Sequence, residues 1–156
     1  MDEHGHGTHV AGTIAATYNN GLGVVGVAPS TKIIPCRFLG DGGGATSSAI
    51  YCVDFARTRG AKIMSNSWGG GGYSQLLIEA IQRARDAGIL FVAAAGNYGI
   101  NIDDFSFFPA SYNAVVDNVV SVGATNWYDQ MAGFSNFGRS VDVAAPGENI
   151  LNTYPG

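Results

Sequence analysis

Three histidines, His4, His6 and His9, stand near the start of this 156-residue chain, and Asn97 follows an apolar run closed by Gly96. An imidazole can carry protons near neutral pH or ligate a metal, and a carboxamide N–H can steady negative charge developing on an oxygen. The H-x-H-x-x-H spacing first suggests a metal. Metallohydrolase motifs of that kind hold an aspartate inside the motif, where Thr8 and Val10 stand instead, and no fourth histidine completes a tetrahedral site. Gly21-Leu22-Gly23-Val24-Val25-Gly26 matches G-x-G-x-x-G. A dinucleotide site needs a strand before that motif and a helix inside it. Here a helical stretch precedes and Pro29 follows too soon, so the match implies no cofactor. Gly96-Asn97, taken alone, reads equally as an oxyanion donor and as an ordinary turn.

Side chains of this kind act only when a framework positions them, and the apolar spacing describes one. Val10, Ala11, Ile14, Ala15 and Tyr18 share a helical face, which predicts a helix over 7–18 stopped by Asn19-Asn20-Gly21. Helices are likewise expected around Ala49, Cys52, Val53 and Ala56, ending near Gly60, and around Leu77, Ile81 and Ala84, ending at Gly88. Strands are expected over Lys32–Phe38, Lys62–Asn66, Ile89–Ala94, Val119–Ala124 and Val141–Ala144. Strand–helix alternation with short loops predicts a parallel sheet covered on both faces, with ligands at the carboxyl ends of the strands. The glycine-rich loop 40–44, the turn Gly69–Gly72 and Gly96-Asn97 would all gather at that edge.

Composition narrows the partners. Hydrophobic residues make up 46% and charged residues 13%, which is too apolar for a disordered tail and suits one domain with a real core. The net charge is −4 and the eight basic residues are scattered, so neither nucleic acid nor a lipid surface is indicated. No apolar run approaches the ~20 residues of a membrane span, and no signal segment opens the chain. Cys36 and Cys52 fall in strand-like and helix-like segments and are expected to be two small buried apolar side chains rather than a disulfide.

Several segments agree in order and spacing: Gly5-His6-Gly7-Thr8-His9-Val10-Ala11-Gly12-Thr13, Gly23-Val24-Val25-Gly26-Val27-Ala28-Pro29, Asn66-Ser67-Trp68-Gly69-Gly70 and Ala94-Ala95-Gly96-Asn97. Phe108-Pro109-Ala110-Ser111-Tyr112, Phe134-Ser135-Asn136-Phe137-Gly138 and Ala144-Ala145-Pro146-Gly147 complete the set. Across essentially its whole length the chain resembles the subtilisin-like serine proteases. The resemblance implies a three-layer α/β fold with a mostly parallel sheet and helices on both faces. It implies His6 as general base and Asn97 as oxyanion donor, in a Ser-His-Asp endopeptidase that needs no cofactor for its chemistry. It implies a peptide substrate held by strand addition between Gly42, Gly43 and Gly44 on one edge and Ser67, Trp68 and Gly69 on the other. Ala94, Ala95 and Gly96 would wall the primary specificity pocket. A structural calcium is implied at Tyr18–Val24, from the Asn20 side chain and the carbonyls of Tyr18, Leu22 and Val24, in a loop one residue longer than the family spacing.

Two partners of His6 are absent from the sequence. No Asp-x-Gly segment precedes it, and no Gly-Thr-Ser-Met-Ala segment follows. Asp2 lies too close to His6 to orient it, and Ser106, Ser111 and Ser135 fall in segments matching other parts of the family. Residues 1–156 are therefore expected to be a partial peptidase domain, truncated at both ends and inactive alone, from a secreted or cell-surface parent. The alternative is a module of the same fold that has lost catalysis and keeps a peptide-binding groove. Side-chain preference and oligomeric state are not indicated.

Overall fold

A computed structural model describes residues 2–40 and 42–156; Met1 and Asp41 lie outside the described residues. Three helices, α1 (His6–Ala15), α2 (Thr46–Thr58) and α3 (Gln75–Asp86), accompany four strands, β1 (Ile63–Asn66), β2 (Leu90–Ala94), β3 (Val119–Thr125) and β4 (Val143–Pro146). All neighbouring strands pair in parallel, and their spatial order β1-β2-β3-β4 is their chain order. A 3-10 turn at Ala110–Ala114 precedes β3. No helix among the described residues is long and apolar enough to cross a membrane.

The core lies between the sheet and the α2–α3 pair. Helix α3 presents Leu77, Ile78, Ala80, Ile81 and Ala84, all buried, against Met64, Phe91, Ala93 and Val119 of the first three strands. Residues spaced three and four apart share one face of a helix, which is why this stripe was readable in the sequence. Ser74 Oγ caps α3 by accepting from Leu77 N at 3.3 Å, and Gly88, with φ 72°, lets the chain leave the helix. The Arg83 guanidinium donates to Asp54 Oδ2 at 2.6 Å and so ties α3 to α2. That pairing holds the Asp54 carboxyl below its ordinary range.

Three expectations change. Helix α1 ends at Ala15 rather than near residue 18, because Ala16 is already extended, with ψ 136°, and the last carbonyls, Thr13 O and Ile14 O, accept from Val27 N and Ala28 N instead. Tyr18 continues the apolar stripe but is exposed. Lys32–Phe38 forms no strand and is largely exposed. A strand exists only by pairing; no strand pairs with this segment among the described residues, and Pro35 removes a ladder donor. Cys36 and Cys52 are not separate buried thiols but a disulfide with Cα atoms 5.8 Å apart. With the 32–38 segment outside the sheet, Cys36 runs beside α2 within bridging reach of Cys52.

Candidate active site

Parallel pairing brings the candidate residues to one edge. Asn66 is paired with Ala93 across β1 and β2, so Ser67–Gly69 and Ala95–Asn97 leave the sheet side by side. Asn66, buried at the end of β1, donates through Nδ2 to Met64 O at 3.0 Å and Val92 O at 3.2 Å, and its Oδ1 accepts from Trp68 Nε1 at 3.1 Å. The Trp68 ring stands edge-on to Phe38, centroids 5.1 Å apart. Phe38 leads into the glycine loop, where Gly40 and Gly43 exchange backbone hydrogen bonds of 3.0 and 2.9 Å. The two glycine-bearing segments are thus joined through Phe38 and Trp68.

His6 begins α1, and its Nε2 lies 2.9 Å from the carbonyl oxygen of Ser67. A carbonyl only accepts, so Nε2 carries the proton in this contact. His9, half-buried one turn on, sets its Nε2 3.2 Å from Ile150 O. The two rings serve different carbonyls rather than one common point.

Asp2, which sequence reading set aside as an orienter, has a structural task instead. Its carboxylate accepts from Gly5 N at 3.0 Å, Thr8 N at 2.8 Å and Thr8 Oγ1 at 2.8 Å. It thereby closes the first turn of α1, whose own N-cap, Gly5, has no side chain to do so. These donors, Thr8 foremost, hold the Asp2 carboxyl down to about 2.

A ribbon at residues 150–154 fastens the rest of α1. Asn152 Nδ2 donates to His9 O at 2.8 Å and also to Thr13 Oγ1; Thr153 Oγ1 donates to Thr8 O at 2.8 Å. Tyr154 packs over Gly5 so closely that a Cβ there would lie 2.6 Å from its ring. Gly5 and Gly12 are small because this ribbon crosses them.

Asn97 is exposed on a turn, and the turn is built around a residue that sequence reading gave no role. Asn136, 1% exposed, donates through Nδ2 to Ala95 O at 2.8 Å and accepts on Oδ1 from Tyr98 N at 2.9 Å and Ile100 N at 3.3 Å. Its own N–H reaches Gly96 O at 3.0 Å. Gly96, with φ 108°, sits where a Cβ would strike Asn136 or Phe107. The available signal was a polar Ser135-Asn136 pair between Phe134 and Phe137. Ser135 Oγ accepts from Ala124 N and donates to Asn136 O, each at 2.9 Å, and Ser111 Oγ accepts from Phe107 N at 2.9 Å. Both hydroxyls are committed to structure.

The loop Tyr18–Val24 is exposed, and Asn20 Oδ1 accepts from Leu22 N at 3.0 Å. Calcium takes six to eight oxygens, commonly with carboxylates among them. Asn20 and the carbonyls of Tyr18, Leu22 and Val24 are four neutral donors, so by themselves they do not fit the ion.

Comparison with known proteins bears on the family and the fold. The model of the subtilase family matches residues 1–156. Subtilisin BL of Lederbergia lenta is 43% identical over 157 residues, covering 100% of this chain and 55% of its own length. The thermophilic serine proteinase of Bacillus sp. (strain AK1) is also 43% identical, with 37% of its length covered. A solved protease structure from Pseudoalteromonas arctica PAMC 21717 superposes with a TM-score of 0.83 at 39% identity, over 91% of this chain and 43% of that one. A cold-adapted subtilisin-like serine proteinase gives 0.81 at 37% identity, over 96% of this chain and 51% of that one. The three-layer α/β fold is shared with these structures. The chain spans about half the length, or less, of the relatives it matches.

Proposed function

The chain belongs to the subtilase family, and from that premise we propose that it is part of the peptidase domain of a serine endopeptidase. In this reading the serine and the aspartate that orients the histidine come from sequence outside residues 1–156. His6 takes the serine proton as the hydroxyl oxygen attacks the peptide carbonyl, then returns it to the departing amine. The Asn97 carboxamide donates to the oxyanion formed in between. Gly42–Gly44 and Ser67–Gly69 hydrogen-bond an extended substrate on two sides, and Ala94, Ala95 and Gly96 wall the pocket for the side chain before the scissile bond.

One observation carries the reading: the 2.9 Å approach of His6 Nε2 to Ser67 O, which sets the base beside one substrate edge. Because Nε2 carries the proton it donates to Ser67 O, the ring must both leave that carbonyl and hold its proton on Nδ1 instead before Nε2 can accept one from serine. The Cys36–Cys52 disulfide supports a secreted or cell-surface protein, since disulfides persist in oxidising compartments. Calcium at Tyr18–Val24 we propose for the full-length protein alone, with charged ligands from outside the four residues named. A melting temperature that a chelator leaves unchanged overturns that part.

The test is a fluorophosphonate probe with a peptide-hydrolysis assay on the full-length protein. Labelling at one serine and hydrolysis are expected. His6→Ala should cut turnover by several decades, and Asn97→Ala by ~10²–10³, a magnitude known from subtilisin and not obtained from this geometry. Peptide binding without labelling or hydrolysis would favour a non-catalytic module.

A further inference from the structure

Phe107 lies between the two walls to which a substrate side chain is assigned. Its ring edge is set against both. A Cβ at Gly69 would lie 2.6 Å from Phe107 Cζ, and one at Gly96 would lie 2.9 Å from Phe107 Cε1. Neither distance is tolerable between carbon atoms, so the ring occupies the room that two missing side chains leave. It is also held from behind. Phe107 N donates to Ser111 Oγ at 2.9 Å, Gly70 N donates to Phe108 O at 2.9 Å, and the Tyr98 ring stands 5.9 Å away, centroid to centroid. Phe107 remains half-buried, with its ring edge against the Cβ positions of both Gly69 and Gly96.

We infer that Phe107 fills the floor of the gap between Ser67–Gly69 and Ala94–Gly96 and restricts the side chain before the scissile bond to small ones, of the size of Gly, Ala or Ser. This rests on the endopeptidase reading above and names its substrate class. A large apolar side chain entering the gap would have to displace a phenyl ring whose backbone is pinned at two points. A methyl group would rest on the ring edge and gain contact without displacing it.

The experiment uses the full-length protein and a peptide series identical except for Ala, Leu or Phe before the scissile bond. The wild type should favour Ala over Phe in kcat/KM by about tenfold or more, within the ~10–200-fold that one apolar pocket discriminates. Phe107→Ala and Phe107→Gly should raise the Phe-to-Ala ratio by roughly tenfold, and Phe107→Leu by less. A merely structural role for Phe107 would lower the melting temperature and leave that ratio where it was. If the two smaller variants do not fold, the wild-type ratio and Phe107→Leu still decide. A wild type that cleaves the Phe peptide as well as the Ala peptide, or variants with an unmoved ratio, overturns the inference and leaves the endopeptidase reading standing. Hydrolysis of no peptide in the series overturns both.

Discussion

The carbonyl oxygen of Ser67 and Nε2 of His6 stand 2.9 Å apart, so one hydrogen bond joins the helix of the candidate base to the strand end that bears the proposed substrate edge. On the other side of that strand end, register with β2 sets the Asn97 turn. His6, Ser67–Gly69 and the Asn97 turn, the proposed base, substrate edge and oxyanion donor, are thereby referred to one strand terminus. The consequences are best tested at residues that hold this arrangement without taking part in chemistry.

Asn136 is the first. Removing its carboxamide leaves Tyr98 N, Ile100 N and Ala95 O without partners. A buried group left unpaired costs ~1–3 kcal/mol. Asn136→Ala in the full-length protein should lower the melting temperature by several degrees, and it should reduce kcat far more than it raises KM, because the loop it shapes carries Asn97. Asn136→Asp keeps an acceptor for Tyr98 N but sets an oxygen against Ala95 O, and should be no better. Unchanged kcat in a folded Asn136→Ala variant would refute a positioning role.

Asp2 gives a pH dependence with a definite sign. Its folded-state carboxyl titrates at about 2, below the ordinary 3.8. A depressed pKa means that the ionised form favours the folded state. The stabilisation is complete above the ordinary value and is lost as pH falls through about 2. Hydrogen exchange at Thr8 N should therefore stay slow down to about pH 4 and lose protection toward pH 2. Asp2→Asn should remove that acid transition; a transition of the same shape in the variant would assign it to another group.

The Cys36–Cys52 bond closes a 16-residue separation that contains the glycine loop. A cross-link over a loop of this length stabilises by about 3 kcal/mol in the chain-entropy description. Reduction, or the Cys36→Ser/Cys52→Ser double variant, should lower the melting temperature and increase proteolytic nicking between residues 39 and 45. Identical melting curves with and without reductant would contradict this.

Residues 1–156 produced alone should be poorly folded. Every residue of β4 is exposed, as are Val27 at 89% and Leu151 at 83%. An uncovered strand edge with adjoining apolar surface favours association with other chains. The isolated chain should bind hydrophobic dyes and aggregate on warming; a monomer with one sharp transition above ~50 °C would show the exposed surface to be harmless.

Much of the framework was legible because its signals are local. The stripe Leu77, Ile81, Ala84 and the stop at Gly88 describe α3 without reference to anything else, and the apolar runs of β1, β2 and β3 do the same. The failures share a cause: each depended on a distant partner. Lys32–Phe38 has a strand's composition but no strand paired with it among the described residues. Cys36 and Cys52 were bridged by a path of the chain that spacing does not encode. His6 and Asn97 are candidates because of ordered motifs, whereas Asn136 and the proposed role of Phe107 depend on where these side chains pack, and a polar or aromatic residue does not announce in sequence which loop it will fill.

The strand order has a bearing on how the molecule is made. Because β1, β2, β3 and β4 lie side by side in chain order, a ribosome delivers each strand next to the one it pairs with, and the sheet can lengthen at one margin as synthesis proceeds. Helix α1 follows the opposite schedule. It is made before these strands, yet its bonds to Asn152 and Thr153 span 139 to 145 residues and cannot close until that ribbon has been translated. The segment carrying His6 is made before these strands and fastened after them, so a chain still on the ribosome holds a growing sheet before it holds a seated histidine.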